Sequence, residues 1–143
     1  MALISYTSKE LDQMARLMRA EAVGEGELGM LMVGNVIVNR AIANCLDFKN
    51  IRSIKDVVSS SKGGFVGYNS PLYNSGSATS KEKELAKRVL KGEYYYPATN
   101  ALWFYSPSKN AECKGTWFNQ RNVGRYKGHC FYAPDPGVCK ELY

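Results

Sequence analysis

A long apolar segment near the start of the chain does most to limit what this sequence can fold into. Residues 27–45 are apolar at almost every position, with only a few polar side chains among them. A helix that is apolar on nearly all sides belongs in the middle of a domain. The segment is also too short, and too often interrupted by polar residues, to cross a bilayer. We therefore predict a central helix around which the other elements pack.

Three polar residues lie inside this central segment, namely Asn35, Asn39 and Arg40. The two asparagines are one helical turn apart, and the arginine follows directly. Buried polar side chains need hydrogen-bond partners. We expect these residues to bond to neighbouring loops, and the alternative is that they contact a substrate.

The preceding residues predict an amphipathic helix. Thr7 and Glu10 have the spacing of a capping box, which marks a helix start. Gly24 and Gly26 indicate the end of the helix. Its apolar stripe recurs at helical spacing and consists of Leu11, Met14, Leu17 and Met18.

Two carboxylates continue this apolar stripe at the end of the predicted helix. Glu21 follows Leu17 by four residues, and Glu25 follows Met18 by seven. Asp12, Arg16 and Arg19 point to other sides of the helix. A carboxyl group that faces apolar surroundings is favoured in its protonated form. A protonated glutamate can act as a general acid, for which glycoside cleavage is a common use. The alternative is that Glu21 caps the helix or pairs with an arginine.

Composition limits the class of protein and of partner. The 143 residues suit one domain, spanning 1–143, with its own hydrophobic core. The net charge of +6 suits an anionic polymer, such as nucleic acid, teichoic acid or peptidoglycan. The lysines are scattered and no RNA-binding signature occurs, which argues against nucleic acid. The ten tyrosines offer flat faces with a polar edge, which suit sugars as well as protein cores.

The N-terminal residues lack the pattern of a secretory signal, and no membrane span is predicted. We therefore expect synthesis in the cytosol. Cysteines occur at positions 45, 113, 130 and 139, without a C-x-x-C pair, and His129 is the one histidine. A zinc site is not expected, and no metal or other cofactor is predicted. Buried free thiols and late disulfides both remain open.

The rest of the chain predicts shorter elements. Ser53 begins a short helix that extends to Val58, and a capping box at Thr79 opens another helix that Gly92 closes. Residues 59–76 are rich in turn formers and predict a hairpin or loop that displays Phe65, Tyr68 and Tyr73, with a plain surface loop as the alternative. Residues 101–107 predict a short strand. Residues 116–132 show no strong periodicity and are expected to be irregular. Together these patterns predict a mainly helical α+β domain with a short hairpin or loop region.

Four blocks of sequence, in this order, resemble the SleB/CwlJ family, the spore cortex-lytic cell-wall hydrolases of endospore-forming bacteria. They are Arg-Ala-Glu-Ala-Val-Gly-Glu-Gly at 19–26, Gly-Met-Leu-Met-Val-Gly-Asn-Val-Ile-Val-Asn-Arg at 29–40, Ala-Leu-Trp-Phe-Tyr at 101–105 and His-Cys-Phe-Tyr at 129–132. The similarity covers nearly the whole chain. The short length and the lack of both a signal and a wall-binding domain are similar to the CwlJ type.

The resemblance implies a lysozyme-like fold in which Glu21 is the catalytic acid. It implies cleavage of the glycan strand of spore cortex peptidoglycan during germination, by an enzyme deposited in the spore coat. It also implies association with a coat protein of the GerQ type and activation by calcium dipicolinate. One departure is Val66, where the family usually has a polar or acidic residue.

A substrate groove and a mechanism follow as hypotheses. Aromatic side chains expected to line the groove are Phe65, Tyr68, Trp103, Tyr105 and Trp117. Because Trp103 and Phe104 alternate, only one of them can face it if the run is a strand. Glu25 and His129 are also assigned to the substrate-binding residues, in supporting roles: Glu25 fixes the turn, and His129 makes a structural hydrogen bond near the groove. The alternatives are a second catalytic acid at Glu25 and a base at His129.

No second carboxylate stands out among Glu25, Glu27, Asp47 and Asp56. This favours a single-acid lytic transglycosylase over a muramidase. The competing readings are a non-catalytic peptidoglycan-binding or coat structural protein, and a phage lysin of the same fold.

Overall fold

The computed structural model describes residues 2–59, 65, 68 and 70–143. Over these residues the chain forms four α-helices, followed by four β-strands. The helices are α1 (Ser8–Ala22), α2 (Gly26–Ile42), α3 (Ile54–Ser59) and α4 (Ser80–Leu90). The strands are β1 (Trp103–Tyr105), β2 (Thr116–Trp117), β3 (Gln120–Tyr126) and β4 (His129–Ala133). Short 3₁₀ turns occupy Val23–Glu25, Leu46–Phe48 and Lys140–Leu142. The predicted mainly helical α+β class is confirmed.

Local capping sets the helix starts that the sequence predicted. The Thr7 hydroxyl accepts a hydrogen bond from the Glu10 amide at 3.1 Å, and the Glu10 carboxylate accepts one from the Thr7 amide at 3.0 Å. Thr79 and Glu82 repeat the same reciprocal pair before α4. These bonds satisfy amide groups that have no partner inside the helix.

Helix α2 is the central helix, and every residue from Gly29 to Ala41 is buried. It packs against α1, α3 and α4. Gly34 permits the close approach of α4, because a Cβ there would lie 2.9 Å from a methyl carbon of Val89. The helix ends at Ile42, three residues before the predicted limit.

Polar residues of α2 bond to loops, which confirms the first of the two alternatives for them. The Asn35 side chain donates to the Glu93 carbonyl at 2.8 Å and accepts from the Tyr95 amide at 3.0 Å. The Asn39 amide reaches three carbonyls of residues 98–101, the nearest at 3.0 Å. These bonds hold the segment before β1 against the helices.

The segment after residue 70 packs more tightly than the sequence predicted. Tyr73 is buried beneath the guanidinium of Arg16, so its predicted display on a loop is wrong. Arg19 is also buried, paired with Glu82 at 2.9 Å and bonded to the Gly76 carbonyl at 2.8 Å. Because these two arginines need acceptors, they draw the turn against α1. Val66 lies outside the described residues.

The four strands form one antiparallel sheet in the order β1-β4-β3-β2. The prediction that residues 116–132 are irregular is wrong. All five residues of β4 are buried, so β4 lacks the alternation that reveals a strand covered on one face only. The register shifts between Asn122 and Gly124, which interrupts the pattern in β3. The β2–β3 turn uses Phe118 and Asn119 at positive φ, without the usual glycine.

The sheet separates two hydrophobic cores. We call the side that faces the helices the inner face; its residues include Phe104, His129 and Phe131. The opposite side is the outer face; its residues include Trp103, Tyr105, Cys130 and Tyr132. The segment around Phe48 and the C-terminal residues cover the outer face.

Both cysteine pairs form disulfides, Cys45–Cys139 and Cys113–Cys130. This resolves the alternatives left open by the sequence. The first joins the segment after α2 to the C-terminal residues, and the second joins the loop before β2 to β4. Both lie on the side of the outer face. Within the described part of the chain, no helix is long and apolar enough to cross a membrane.

Candidate active site

Glu21 lies in the last turn of α1, where the sequence predicted it, and its side chain is half-buried. The 3₁₀ turn Val23–Glu25 follows at once and redirects the chain into α2. In its ionised form Glu21 raises the pKa of Arg40 of α2, and the main chain of Glu21 bonds to His129 of β4. The acid therefore lies where two helices meet the inner face of the sheet.

His129 is only 3% exposed and packs against two aromatic rings of the inner face. Its ring centroid is 4.9 Å from that of Phe104 and 6.2 Å from that of Phe131. Burial lowers the pKa of His129, against the charge of Glu25 and the hydrogen bond to the Glu21 main chain, which raise it. The ring is therefore neutral at pH 7. Its hydrogen bond to the Glu21 main chain places it to hold the end of α1 against the sheet, and its role near the groove stays a prediction.

Arg40 is 2% exposed and lies between the two cores. Its Nε donates to the Leu102 carbonyl at 2.8 Å. Its guanidinium carbon is 4.3 Å from the ring centroid of Phe65 and 4.8 Å from that of Phe48. Burial lowers the pKa of Arg40 to about 9, while the carboxylates of Glu21 and Asp47 raise it. The guanidinium is therefore a buried cation at neutral pH.

Glu25 joins the turn after α1 to the β3–β4 hairpin. Its carboxylate accepts a hydrogen bond from the Gly128 amide at 3.2 Å, and its carbonyl accepts one from Lys127 Nζ at 3.2 Å. Glycines flank the side chain on both sides. A Cβ at Gly29 would lie 2.3 Å from Glu25 Cβ, and one at Gly128 would lie 2.6 Å from Glu25 Oε1. Glu25 thus occupies a fitted slot, in the turn-fixing position expected from the sequence.

The other carboxylates considered as a second catalytic group have different surroundings. Glu27 is exposed and lies 3.7 Å from Lys81 of α4. Asp56 lies near Glu10, at the opposite end of α1 from Glu21. Asp47 is exposed at the surface, but its carboxylate raises the pKa of Arg40. We call Glu21, Arg40, His129, Phe65 and Phe104 the Glu21 cluster. Of the four carboxylates considered, Glu25 and Asp47 are the two that lie near it.

The aromatic residues predicted to line one groove are distributed over several places. Phe65 is 8% exposed and contacts Phe104, with ring centroids 5.8 Å apart, in the cluster that contains Arg40. Tyr68 is 38% exposed and packs edge-on against Tyr73, away from the sheet. Phe65 is therefore the predicted groove residue that the structure places with the acid.

Trp103, Tyr105 and Trp117 belong to the outer face, so their assignment to a groove beside Glu21 needs correction. Trp103 is 2% exposed, with one ring face stacked on Phe118 at 5.7 Å, and it also packs against Phe48. A buried ring offers no face to a sugar. Tyr105 and Trp117 stack on each other at 4.6 Å and are half-exposed. The sheet lies between them and His129.

Phe104 and Arg40 are the site residues that the sequence reasoning left without a role beside the acid. The signal for Phe104 was present in strand alternation, because the residue next to a buried Trp103 must face the other way. Arg40 offered no comparable signal. Its proximity to Glu21 depends on how α1 and α2 cross, which sequence periodicity does not report.

A cavity of about 420 Å³ lies elsewhere, between the loop at Tyr96 and strand β3. Ala133, at the far end of β4 from His129, lines it. Four residues of strand separate these two positions, on the order of 13 Å. The cavity is therefore distinct from the Glu21 cluster.

The cluster combines a carboxyl group, a buried cation, a neutral imidazole and aromatic walls. Such surroundings suit a proton donor whose charge changes during a reaction. The carboxyl group of Glu21, at the end of α1, suits transfer of a proton to a leaving oxygen.

Comparison with solved structures defines the class of fold. The catalytic domain of the Bacillus cereus SleB protein matches with a TM-score of 0.68 and 22% identity, over 90% of this chain and 92% of that chain. The catalytic domain of the germination-specific lytic transglycosylase SleB from Bacillus anthracis matches with a TM-score of 0.67 and 20% identity, over 90% and 97%. The fold is lysozyme-like, as predicted.

Sequence comparison places the chain more narrowly. The family model described as Cell Wall Hydrolase matches residues 24–132. Proteins named cell wall hydrolase CwlJ are similar over all 143 residues, with 49% identity in Oceanobacillus iheyensis over 99% of that protein, and 42% in Bacillus subtilis over 98%. The chain belongs to the cell wall hydrolase family, in its SleB/CwlJ group. Glu21 precedes the span of the family model by three residues but lies within the full-length similarity.

Proposed function

We propose that this protein cleaves the glycan strand of spore cortex peptidoglycan during germination, with Glu21 as the general acid. The observation that carries the proposal is the place of Glu21, half-buried at the end of α1 beside Arg40 and His129, in a chain of the cell wall hydrolase family. The carboxyl group gives its proton to the glycosidic oxygen. The bond from that oxygen to the sugar C1 breaks, and its electron pair stays on the oxygen.

The second half of the reaction is proposed to be transglycosylation. The muramoyl 6-hydroxyl oxygen bonds to C1, giving a 1,6-anhydro ring, and its proton returns to the Glu21 carboxylate. This route requires one carboxyl group, since the substrate acetamido group assists. Glu25 is already bonded to the Gly128 amide, which favours the single-acid route over a muramidase. The Bacillus anthracis neighbour is titled a lytic transglycosylase, which points the same way.

Substitution of the acid tests the assignment. Glu21→Gln keeps the shape of the side chain but removes the transferable proton. General acid catalysis contributes on the order of 10²–10⁴ in rate. We expect the variant to fold and bind purified cortex while fragment release falls by that factor. Glu27→Gln, at an exposed ion pair, is the matched control and should release fragments at the wild-type rate.

Two results would contradict the proposal in different ways. Cortex clearance by Glu21→Gln at near the wild-type rate would show that Glu21 is not the general acid. Wild-type protein that binds cortex but releases no fragment would support a wall-binding or coat structural role. Mass spectrometry of the released fragments decides the chemistry, because an anhydro end and a reducing end differ by one water.

Location and partner belong to the same proposal. The protein is deposited in the spore coat and associates there with a coat protein of the GerQ type, and calcium dipicolinate activates it. The support is the resemblance to CwlJ-type proteins. Fractionation of spores, followed by co-purification from the coat fraction, would test the location and the partner together.

A further inference from the structure

We propose that Arg40 is a positioning residue for the acid, whose buried guanidinium stabilises the carboxylate that Glu21 becomes after it gives up its proton. The inference rests on the proposed role of Glu21. It goes beyond that role because it assigns a function to a side chain of a different helix.

The geometry of Arg40 fixes its charge in one place. The Nε bond to the Leu102 carbonyl and the two phenylalanine rings leave the planar guanidinium no freedom to rotate. Among the described residues, its Nη1 is buried without a hydrogen-bond partner. An unsatisfied buried N–H of a cation is costly, and in native structures it calls for an explanation. A carboxylate generated during turnover is a group to which that cation is complementary.

Arg40 and Glu21 belong to one continuous cluster. Phe65 contacts both Arg40 and Phe104, Phe104 contacts His129, and His129 bonds to the Glu21 main chain. When Glu21 is ionised its carboxylate raises the pKa of Arg40, so the two groups lie within electrostatic reach of each other. Because Arg40 is buried and Glu21 is half-buried, the attraction between the two groups is screened less than at a surface.

This placement resolves a conflict in the chemistry of the acid. A carboxyl group in apolar surroundings retains its proton, but a proton held too tightly is transferred slowly. A nearby fixed cation stabilises the conjugate base and so makes the transfer easier. The rate then falls at high pH, where the acid is already ionised, and this fall forms the alkaline limb of the pH profile.

The experiment compares two arginines that share two kinds of contact. Arg16 also donates from Nε to a carbonyl at 2.8 Å, that of Tyr73, and its guanidinium carbon is also 4.3 Å from a ring centroid. It lies on α1 five residues before Glu21, on a different side of the helix. Arg40→Met and Arg16→Met therefore each remove an Nε bond and a ring contact. Arg16→Met also removes an ion pair with Asp12 at 3.4 Å, and only Arg40→Met removes the cation from the cluster.

The readout is kcat against pH on soluble cortex fragments, corrected for the folded fraction. For Arg40→Met we expect the plateau to fall about tenfold or more and the alkaline limb to move to higher pH. Arg40→Lys, which restores a cation, should return the limb towards its wild-type position. Arg16→Met should lose stability but keep the limb unchanged. An alkaline limb that does not move in Arg40→Met would overturn the proposal. Loss of a purely structural arginine would lower the folded fraction but leave the pH of the limb unchanged.

If Arg40→Met does not fold, a second variant tests whether Arg40 stabilises the Glu21 carboxylate. Phe65→Ala leaves Arg40 in place but admits water, so added salt should now move the alkaline limb to higher pH. A limb that stays independent of salt in Phe65→Ala would contradict the proposal. The acid assignment is tested separately, because Glu21→Gln can be inactive while the limb of Arg40→Met is unchanged.

Discussion

The two faces of the sheet use neighbouring residues of the same strands for different purposes. On the inner face, Phe104 and His129 pack towards the end of α1 that carries Glu21. On the outer face, Trp103 and Cys130 are buried together with C-terminal residues, and Cys130 forms a disulfide with Cys113. Neighbouring residues of β1 or β4 therefore lie on opposite faces: one beside the acid, and the next in the outer core that stabilises the fold. The predictions below test this division.

The largest expected effect concerns the Cys45–Cys139 disulfide of the outer face. The bond closes a loop with a sequence separation of 94 residues. Replacing both cysteines with serine should lower the free energy of unfolding by roughly 4–5 kcal/mol, because the unfolded chain gains conformational entropy. Denaturant unfolding without reductant measures this loss. Turnover per folded molecule should not change.

The second disulfide is the matched comparison. Cys113 and Cys130 are 17 residues apart, so their replacement should lower the free energy of unfolding by about 3 kcal/mol. If removing the longer bridge also reduced turnover per folded molecule, the outer face would not be separate from the site.

Adjacent substitutions in β1 give the next effect. Trp103→Leu removes a buried ring from the outer core and should lower the free energy of unfolding by about 2–3 kcal/mol, with turnover per folded molecule retained. Phe104→Leu should lower it less, by about 1 kcal/mol, but should reduce turnover because the ring supports His129. Paired unfolding and rate measurements would contradict the division if the two variants behaved alike.

Glu25→Gln is expected to act mainly through the turn. The substitution weakens a charge-assisted bond to the Gly128 amide and should lower the free energy of unfolding by about 1 kcal/mol, with only a partial loss of cortex cleavage. Thermal unfolding and fragment release on one preparation measure both. A loss of activity equal to that of Glu21→Gln would instead make Glu25 a second catalytic group.

The smallest effect is a pH dependence that arises from His129. Burial lowers the pKa of His129 below its ordinary value of 6.5, so the unfolded chain takes up a proton first as the pH falls. The free energy of unfolding therefore falls as the pH is lowered from about 6.5 to the lowered native pKa of His129. Above that window His129 does not change it. The slope cannot exceed about 1.4 kcal/mol per pH unit.

His129→Gln removes the titrating group and should flatten the curve of unfolding free energy against pH between about 5 and 7. Urea unfolding at several pH values, with wild type in parallel, measures the difference. An unchanged slope in the variant would show that other groups set this dependence.

Sequence reasoning succeeded where one local signal determines one local structure. The capping boxes at Thr7 and Thr79, the buried helix α2 and the place of Glu21 in the last turn of α1 all follow from spacing within one helix. The family follows from ordered blocks along the chain. Each of these depends on residues close together in sequence.

It failed where structure depends on contacts between distant segments. Strand β4 is buried on both faces and β3 contains a register shift, so neither shows clean alternation. Trp103 was assigned to a groove because an aromatic residue suits both a sugar and a core, and only the covering of the outer face decides between them. Arg40 approaches Glu21 through the crossing of α1 and α2.

The fitted slot of Glu25 has a consequence for how this sequence can change over generations. A methyl group at Gly29 would collide with Glu25 Cβ, which cannot move without the backbone, whereas one at Gly128 would meet only the carboxylate end of Glu25, which can swing away. Alanine at Gly29 becomes tolerable only once position 25 carries glycine or its backbone shifts, because the nearest atom is Glu25 Cβ. Positions 25 and 29 therefore form an epistatic pair, in which the substitution at position 25 must come before alanine at position 29.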